Sequence, residues 1–232
     1  MKKIKILDIS DMQNGFTRKE GSLYINGAQD IIGPINKFLC QIKEGVFDYS
    51  LIVFDTHFTE EYYLSEESKK FPIHCEFGTN DWNLSVDVSF LTNKRYFTKN
   101  KFNMWSEEGL TSVRIIDPMK KAAYDNLFYF LDDPYKPGEK VPRDEFIRNI
   151  CQDHNTDNLE VTIIGVASDY CNRYAMEGWL LRGASVIIIQ DLTKGIEKET
   201  EQILAEYQYK KYINGRLRFV DSAGYLKELT YI

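Results

Sequence analysis

Four short runs of mostly apolar residues constrain the fold of this chain more than any other feature. The runs lie at 5–9, 50–54, 161–166 and 185–189 and are rich in isoleucine and valine. They are nearly continuous rather than alternating, which is the pattern of strands buried on both faces. The stretches between them have helical spacing, at about 28–44, 170–183 and 197–211. Strands that alternate with helices of this length predict an α/β fold with an open, mostly parallel sheet.

The segment from about 106 to 158 departs from this alternation. It contains an aromatic cluster at 124–130, and half of the chain's six prolines lie within 134–142. We predict an added helix, a turn-rich excursion and a second helix at about 143–153. Because 43% of the 232 residues are hydrophobic, the chain can bury one sizeable core. We therefore predict a single domain, 1–232, with an insertion at about 106–158.

Composition and charge limit which binding partners and which cellular location we expect. The net charge is −6, from 29 basic and 35 acidic residues, and the chain has no basic block, so we expect no nucleic-acid partner. No apolar run nears the ~18 residues of a membrane span, and Asp8 interrupts the start too early for a signal peptide. The four cysteines form no CxxC pair, which favours reduced thiols and a cytoplasmic protein.

Reactive residues follow three of the predicted strands. Asp11 follows the first strand, Asp55 and His57 follow the second, and Cys171 follows the third. Because ligands collect at the carboxyl ends of parallel strands, we expect these side chains to share one rim. Each residue also has a plainer interpretation, since Asp11 could cap a turn, Asp55 and His57 could be loop polars, and most free cysteines are small buried hydrophobes.

Together the rim residues predict an acyl-transfer site. Cys171 falls at the start of a predicted helix, where the dipole and free N–H groups favour a thiolate and lower the thiol pKa. Asp11 could accept the thiol proton, and N–H groups of the turn from Ala167 to Cys171 could bind an oxyanion.

A second set of residues predicts a metal site. Asp55 and His57 alternate on an extended segment and so point to the same side, and Glu67 and His74 follow in one loop. Imidazole and carboxylate ligands without a thiolate suit one divalent ion such as Zn, Fe or Mn, and the ligand types do not choose among these metals. The alternative is a polar surface loop.

At these residues the chain resembles the nicotinamidases of the isochorismatase-like cysteine hydrolases. Residues 11–16, DMQNGF, are similar to the family's DMQNDF, with Gly15 in place of an aspartate. Residues 55–57 resemble its metal-binding DxH, and FPIHCEFGT at 71–79 resembles its (W/F)PxHCxxGT. The resemblance continues in GVASDYC at 165–171 and in DLTKGI at 191–196. It covers about 4–105 and 159–197.

The resemblance implies a three-layer α-β-α fold and a set of roles. Asp11, Lys99 and Cys171 would be catalytic, with Lys101 as the competing lysine; Asp55, His57, Glu67 and His74 would bind the metal. Ala167 and Cys171 would form the oxyanion hole, with a cis peptide at Val166–Ala167. The implied substrate-binding residues are Phe16, Phe71, Trp105, Val166 and Ala167.

The implied reaction is hydrolysis of nicotinamide to nicotinate and ammonia through a thioester on Cys171, by a homo-oligomer. Two alternatives stay open: a related cysteine hydrolase that acts on another small amide or on a ureido or carbamoyl compound, and a catalytically idle relative that only binds. Residues 103–105 depart from the family's YSAF stretch, and Asn172 and Arg173 are unusual after the cysteine. We expect Cys75, beside His74, to be a packing residue.

Overall fold

One sheet of eight strands organises the part of the chain that the computed structural model describes, residues 3–106, 112, 114–151, 156–213 and 215–230. The strands are β1 (Ile4–Ser10), β2 (Tyr49–Asp55), β3 (Lys94–Lys99), β4 (Tyr129–Leu131), β5 (Lys140–Pro142), β6 (Leu159–Val166), β7 (Ser185–Lys194) and β8 (Leu217–Val220). The helices are α1 (Asn14–Thr17), α2 (Ala28–Leu39), α3 (Thr59–Tyr62), α4 (Pro118–Asp125), α5 (Arg143–Ile150), α6 (Cys171–Leu181), α7 (Thr200–Leu204) and α8 (Ser222–Thr230).

The strand order is β5-β4-β3-β2-β1-β6-β7-β8, and the six strands from β3 to β8 in this order are parallel. The strand β1 lies between β2 and β6, so that Asp8 is opposite both Leu51 and Ile163. The mostly parallel α/β sheet predicted from the four apolar runs is confirmed.

Helices cover both faces of the sheet. Leu7 and Ile9 of β1 belong to one buried cluster, together with residues of α2 and α8. Ile6 belongs to a second buried cluster with residues of α5, α6 and α7. Because successive side chains of a strand point to opposite faces, the two clusters are the two interfaces of a three-layer α-β-α fold.

In the structure, two helices are shorter than the ranges that the apolar pattern predicts for them. The helix predicted over 28–44 ends at Leu39. The one predicted over 197–211 is α7 followed by a separate 3-10 turn, Tyr207–Tyr209. Glu206 separates these two elements, because its backbone is extended while its carboxylate pairs with Arg173 and Lys198.

The insertion contains both predicted helices, α4 and α5, and the end of the second prediction, 152–153, lies outside the described residues. Between the helices the chain forms a β-hairpin rather than an irregular excursion. The strand β4 pairs antiparallel with both β3 and β5, so the insertion extends the sheet. Strands of three residues are too short to show a periodic pattern. No helix within the described ranges is long and apolar enough to span a membrane.

Candidate active site and metal centre

The carboxyl ends of four adjacent strands bring reactive side chains together. Asp11 follows β1, Asp55 ends β2, Lys99 ends β3, and Cys171 begins α6 after β6. These strands are neighbours and run in the same direction, so their ends meet at one rim. All four residues are buried.

Lys99 lies at the centre of this group. Its Nζ donates a hydrogen bond to Asp11 Oδ2 at 2.9 Å and another to Asp55 Oδ1 at 3.3 Å. The same Nζ is 3.4 Å from Cys171 Sγ. Lys99, rather than Lys101, is therefore the lysine that contacts the thiol and both carboxylates.

The charges of this buried group are mutually dependent. Burial lowers the pKa of Lys99, but the Asp11 and Asp55 carboxylates outweigh burial and raise it well above its usual range. Burial raises the pKa of Asp55, but His57 and Lys99 hold it well below its usual range. These interactions therefore favour the charged forms of both Lys99 and Asp55.

The thiol of Cys171 differs from the sequence-based expectation. Burial raises its pKa well above the usual range, and the Asp11 charge raises it further, with Lys99 opposing them. Burial and the Asp11 charge therefore favour the protonated thiol, in contrast to the thiolate expected at the helix start. Burial also raises the pKa of Asp11, which makes it a stronger base beside a protonated thiol.

The four predicted metal ligands also lie together. One ligand atom from each of Asp55, His57, Glu67 and His74 lies within 4.8 Å of the others, and all four residues are buried. Asp55 Oδ2 is 3.0 Å from His57 Nε2 and 3.1 Å from His74 Nε2, and Glu67 Oε1 is 3.3 Å from His74 Nε2.

The details of this cluster fit a divalent cation. His74 Nδ1 donates to the carbonyl of Pro72 at 2.8 Å, so the lone pair of the neutral ring is on Nε2, which faces the carboxylates. Glu67 Oε1 is buried and accepts no hydrogen bond from the described residues. Burial lowers the pKa of His74, but the nearby Asp55 and Glu67 carboxylates raise it to about 10, so the cluster stabilises positive charge.

Gln13 is a positioning residue that sequence reasoning did not single out. Its Nε2 donates to the carbonyls of Asp55 and Trp82, and its Oε1 accepts from the Asp55 N–H at 2.8 Å. These bonds join the ends of β1 and β2, which carry Asp11 and Asp55. Its place inside the DMQN motif was the available signal.

The turn before Cys171 has the predicted cis peptide at Val166–Ala167. The Ala167 carbonyl accepts from the N–H groups of Tyr170 and Asn172, both at 3.1 Å, and Cys171 is the first residue of α6. A first helical N–H has no acceptor within its own helix, which suits an oxyanion donor. The oxyanion roles of Ala167 and Cys171 stay predictions. The Val166 side chain is fully buried in the first cluster, so a substrate would meet only its backbone.

Asn172 and Arg173, which the sequence left open, have structural partners. Asn172 Nδ2 donates to the Gly165 carbonyl at 2.9 Å. Arg173 pairs with Glu177 and Glu206 on its own side of the fold. The guanidinium of Arg173 is therefore engaged by protein carboxylates.

Several aromatic rings contact the metal cluster or one another. The Phe16 ring lies 5.1 Å from the His74 ring. Phe71 contacts Phe102 at 5.8 Å and Tyr170 at 5.7 Å, and Phe102 contacts Tyr170 at 4.9 Å. We call Phe71, Phe102 and Tyr170 the aromatic wall. Phe102 and Tyr170 were not predicted, although one follows Lys99 by three residues and the other directly precedes Cys171.

Trp105, which was predicted to bind substrate, makes packing contacts with α6, and its substrate role stays a prediction. Its ring packs against Trp179 at 4.9 Å, and its Nε1 donates to the Tyr174 carbonyl at 3.0 Å. It also lies so close to Gly178 that a Cβ there would be 1.8 Å from Nε1. Trp105 therefore packs along α6 in the second buried cluster, away from the end of the helix that carries Cys171.

The fold of the chain is that of the isochorismatase-like hydrolases. Among solved structures with this fold, a pyrazinamidase of Pyrococcus horikoshii in complex with zinc is 20% identical, with a TM-score of 0.60 over 94% of this chain and 98% of that one. PnC1 from L. infantum, in complex with nicotinate, is 19% identical, with a TM-score of 0.62 over 95% and 94%. An N-carbamoylsarcosine amidase from Thermoplasma acidophilum is 16% identical, with a TM-score of 0.61 over 96% and 97%. No protein-family model and no curated protein sequence matches the chain.

Proposed function

We propose that this chain is a metal-containing cysteine amidohydrolase that converts nicotinamide to nicotinate and ammonia. The observation that carries the proposal is the buried contact of Lys99 Nζ with Asp11, Asp55 and Cys171. A thiol, a base and a fixed cation at one rim are the parts of a covalent acyl-transfer site. The pyrazinamidase and nicotinate-bound neighbours support this class of substrate.

In the proposed reaction Asp11 takes the proton of Cys171 as the sulfur attacks the carboxamide carbon. Asp11 Oδ1 is buried and without a hydrogen-bond partner in the described part of the chain, so it is free to accept this proton. Backbone N–H groups of Ala167 and Cys171 hold the oxyanion. Asp11 returns the proton to the departing nitrogen, the C–N bond breaks, and ammonia leaves a thioester.

The second half of the reaction reuses the same groups. Asp11 takes a proton from water, whose oxygen attacks the thioester carbon; the C–S bond breaks and the sulfur is protonated again. Lys99 stays charged throughout and stabilises the Asp11 carboxylate and the departing sulfur. The product is the carboxylic acid, which leaves as its anion.

Asp55, His57, Glu67 and His74 would hold one divalent ion, with zinc as the first candidate. Such an ion supplies a Lewis acid for a ring nitrogen of the substrate. The aromatic wall would pack against the pyridine ring, as aromatic pairs do at 4.5–7 Å.

Hydrolysis of a ureido or carbamoyl compound is the second candidate, favoured by the carbamoylsarcosine amidase among the neighbours. It uses the same thiol, base and lysine but has no need of the four-residue metal cluster. The predicted homo-oligomer and cytoplasmic location stay predictions.

The test is ammonia release from nicotinamide and from a panel of aliphatic and ureido amides, with metal and with chelator. We expect metal-dependent release from nicotinamide, loss of turnover in Cys171→Ala, and loss of bound metal in His57→Ala. The exposed thiol of Cys40 provides the matched control Cys40→Ala, which should stay active. Release from ureido compounds alone would refute the nicotinamidase assignment, and full activity of Cys171→Ala would refute the covalent mechanism.

A further inference from the structure

The segment that follows Lys99 carries part of the aromatic wall but belongs to no helix or strand. Phe102 lies on this segment, 100–106, between Lys99 at the end of β3 and a short turn. Asn103 stabilises the turn, because its Oδ1 accepts from the Trp105 N–H at 2.9 Å and its carbonyl accepts from the Ser106 N–H at 3.1 Å. The carbonyls of Met104 and Ser106 then need donors from elsewhere.

Arg143, the first residue of α5 in the insertion, supplies these donors. Its Nη1 donates to the Met104 carbonyl at 2.7 Å and to the Ser106 carbonyl at 3.0 Å. The side chain is buried, and Asp144 accepts from its Nε at 2.8 Å. Its guanidinium also lies 5.7 Å from the Trp105 ring. A buried guanidinium that bonds two carbonyls is a specific, oriented contact.

The same turn is tied to the helix that carries the nucleophile. Trp105 donates to the Tyr174 carbonyl of α6, and the Arg182 guanidinium lies 3.8 Å from its ring. The turn is thus held between the insertion on one side and α6 on the other. Nothing in these contacts touches the thiol, the base or the metal ligands.

We propose that Arg143 is a positioning residue, through which the insertion fixes the 100–106 segment and holds Phe102 in the aromatic wall. The inference rests on the proposed function in that the wall receives an aromatic amide. The expected consequence is selective. Loss of the Arg143 hydrogen bonds to the Met104 and Ser106 carbonyls weakens recognition of a substrate ring but leaves attack on a small amide nearly unchanged. Such selectivity separates positioning from general stabilisation.

The experiment compares the wild type with Arg143→Ala and Arg143→Lys, and uses Arg148→Ala, an exposed arginine of the same helix, as the matched control. We expect KM for nicotinamide to rise about tenfold or more in Arg143→Ala with a smaller change in kcat. Arg143→Lys, which keeps one donor group but not the planar fork, should recover part of the loss. Arg148→Ala should match the wild type, and kcat/KM for an aliphatic amide should change little in every variant.

A second readout does not depend on hydrolysis. The rate of Cys171 alkylation by iodoacetanilide, which carries a phenyl ring, is divided by the rate with iodoacetamide, and the labelled peptide is identified by mass spectrometry. Arg143→Ala should lower this ratio several-fold relative to the wild type and Arg148→Ala. An unchanged ratio, which includes an equal loss of alkylation rate for both reagents, would overturn the proposal. If Arg143→Ala does not fold, Arg143→Lys provides the same test. If the wild type hydrolyses no nicotinamide, only the proposed function is refuted. The ratio of the two alkylation rates still tests the positioning role of Arg143.

Discussion

Asp8 is a buried carboxyl group that the proposed reaction does not use, and replacing it tests how burial acts on charge in this fold. It lies in the middle of β1 and is fully buried. Its Oδ1 accepts from Ser10 Oγ at 3.0 Å, and its Oδ2 from Trp179 Nε1 at 3.4 Å. Asp8→Asn keeps the shape and the acceptor for Trp179, and Ser10 can rotate its hydroxyl to accept from the new amide. The substitution therefore removes mainly the ionisable proton.

The magnitude follows from the pKa of Asp8. Burial raises this pKa from 3.8 to about 6, although the Ser10 and Trp179 hydrogen bonds oppose the rise. Since one pKa unit corresponds to roughly 1.4 kcal/mol, ionised Asp8 costs the folded state about 3 kcal/mol. Between pH 4 and 6 the folded chain binds more protons at Asp8 than the unfolded chain does. Its contribution to stability is therefore fully present below about pH 4 and is lost as the pH rises through about 6.

The assay is urea denaturation of wild type and Asp8→Asn at pH values from 4 to 8. The free energy of unfolding of Asp8→Asn relative to wild type should increase with pH and level off above about 7, where the variant should be about 3 kcal/mol more stable than the wild type. Glu20→Gln, which removes one negative charge at an exposed position, is the control and should show no such rise. A difference between wild type and Asp8→Asn that does not depend on pH, or a less stable variant at pH 8, would refute the reasoning.

Four further substitutions test the packing and the charge balance. Gly178→Ala places a Cβ 1.8 Å from Trp105 Nε1 and should destabilise the fold by about 3 kcal/mol. Gly33→Ala, whose Cβ would have no atom within 4 Å, should instead stabilise α2 by up to about 1 kcal/mol. Urea denaturation measures both changes. Trp105→Phe loses the bond to the Tyr174 carbonyl and should cost about 1 kcal/mol without raising turnover, so a faster enzyme would contradict the assigned position of Trp105. Lys99→Met leaves the buried Asp11 carboxylate without its cation and removes one of the partners of Asp55. It should destabilise the fold by about 3–5 kcal/mol, seen as a lower Tm, and abolish ammonia release.

The sequence was informative about the rim of the sheet because parallel strands impose simple geometry. Asp11, Asp55 and Cys171 each follow a strongly apolar run, so their meeting at one edge needs only the strand directions. Trp105 could not be placed this way, since its position depends on the space that Gly178 leaves on a helix distant in sequence. The predicted lowering of the Cys171 pKa differs from the structure for a similar reason. The helix start is visible in the sequence, but the depth of burial at Cys171, which raises the pKa, is not.

The hairpin of the insertion also decides where the sheet is open to other chains. Without β4 and β5, the edge strand on this side would be β3, which ends at Lys99. The N–H and C=O groups on its outer side would then be unpaired. With the hairpin present, the edge on this side of the sheet is β5, a strand of three residues that begins with exposed Lys140 and ends with Pro142, which has no N–H to donate. Short edges that carry lysine and proline resist strand-to-strand association. The hairpin therefore covers the edge of β3 and opposes strand-to-strand association there.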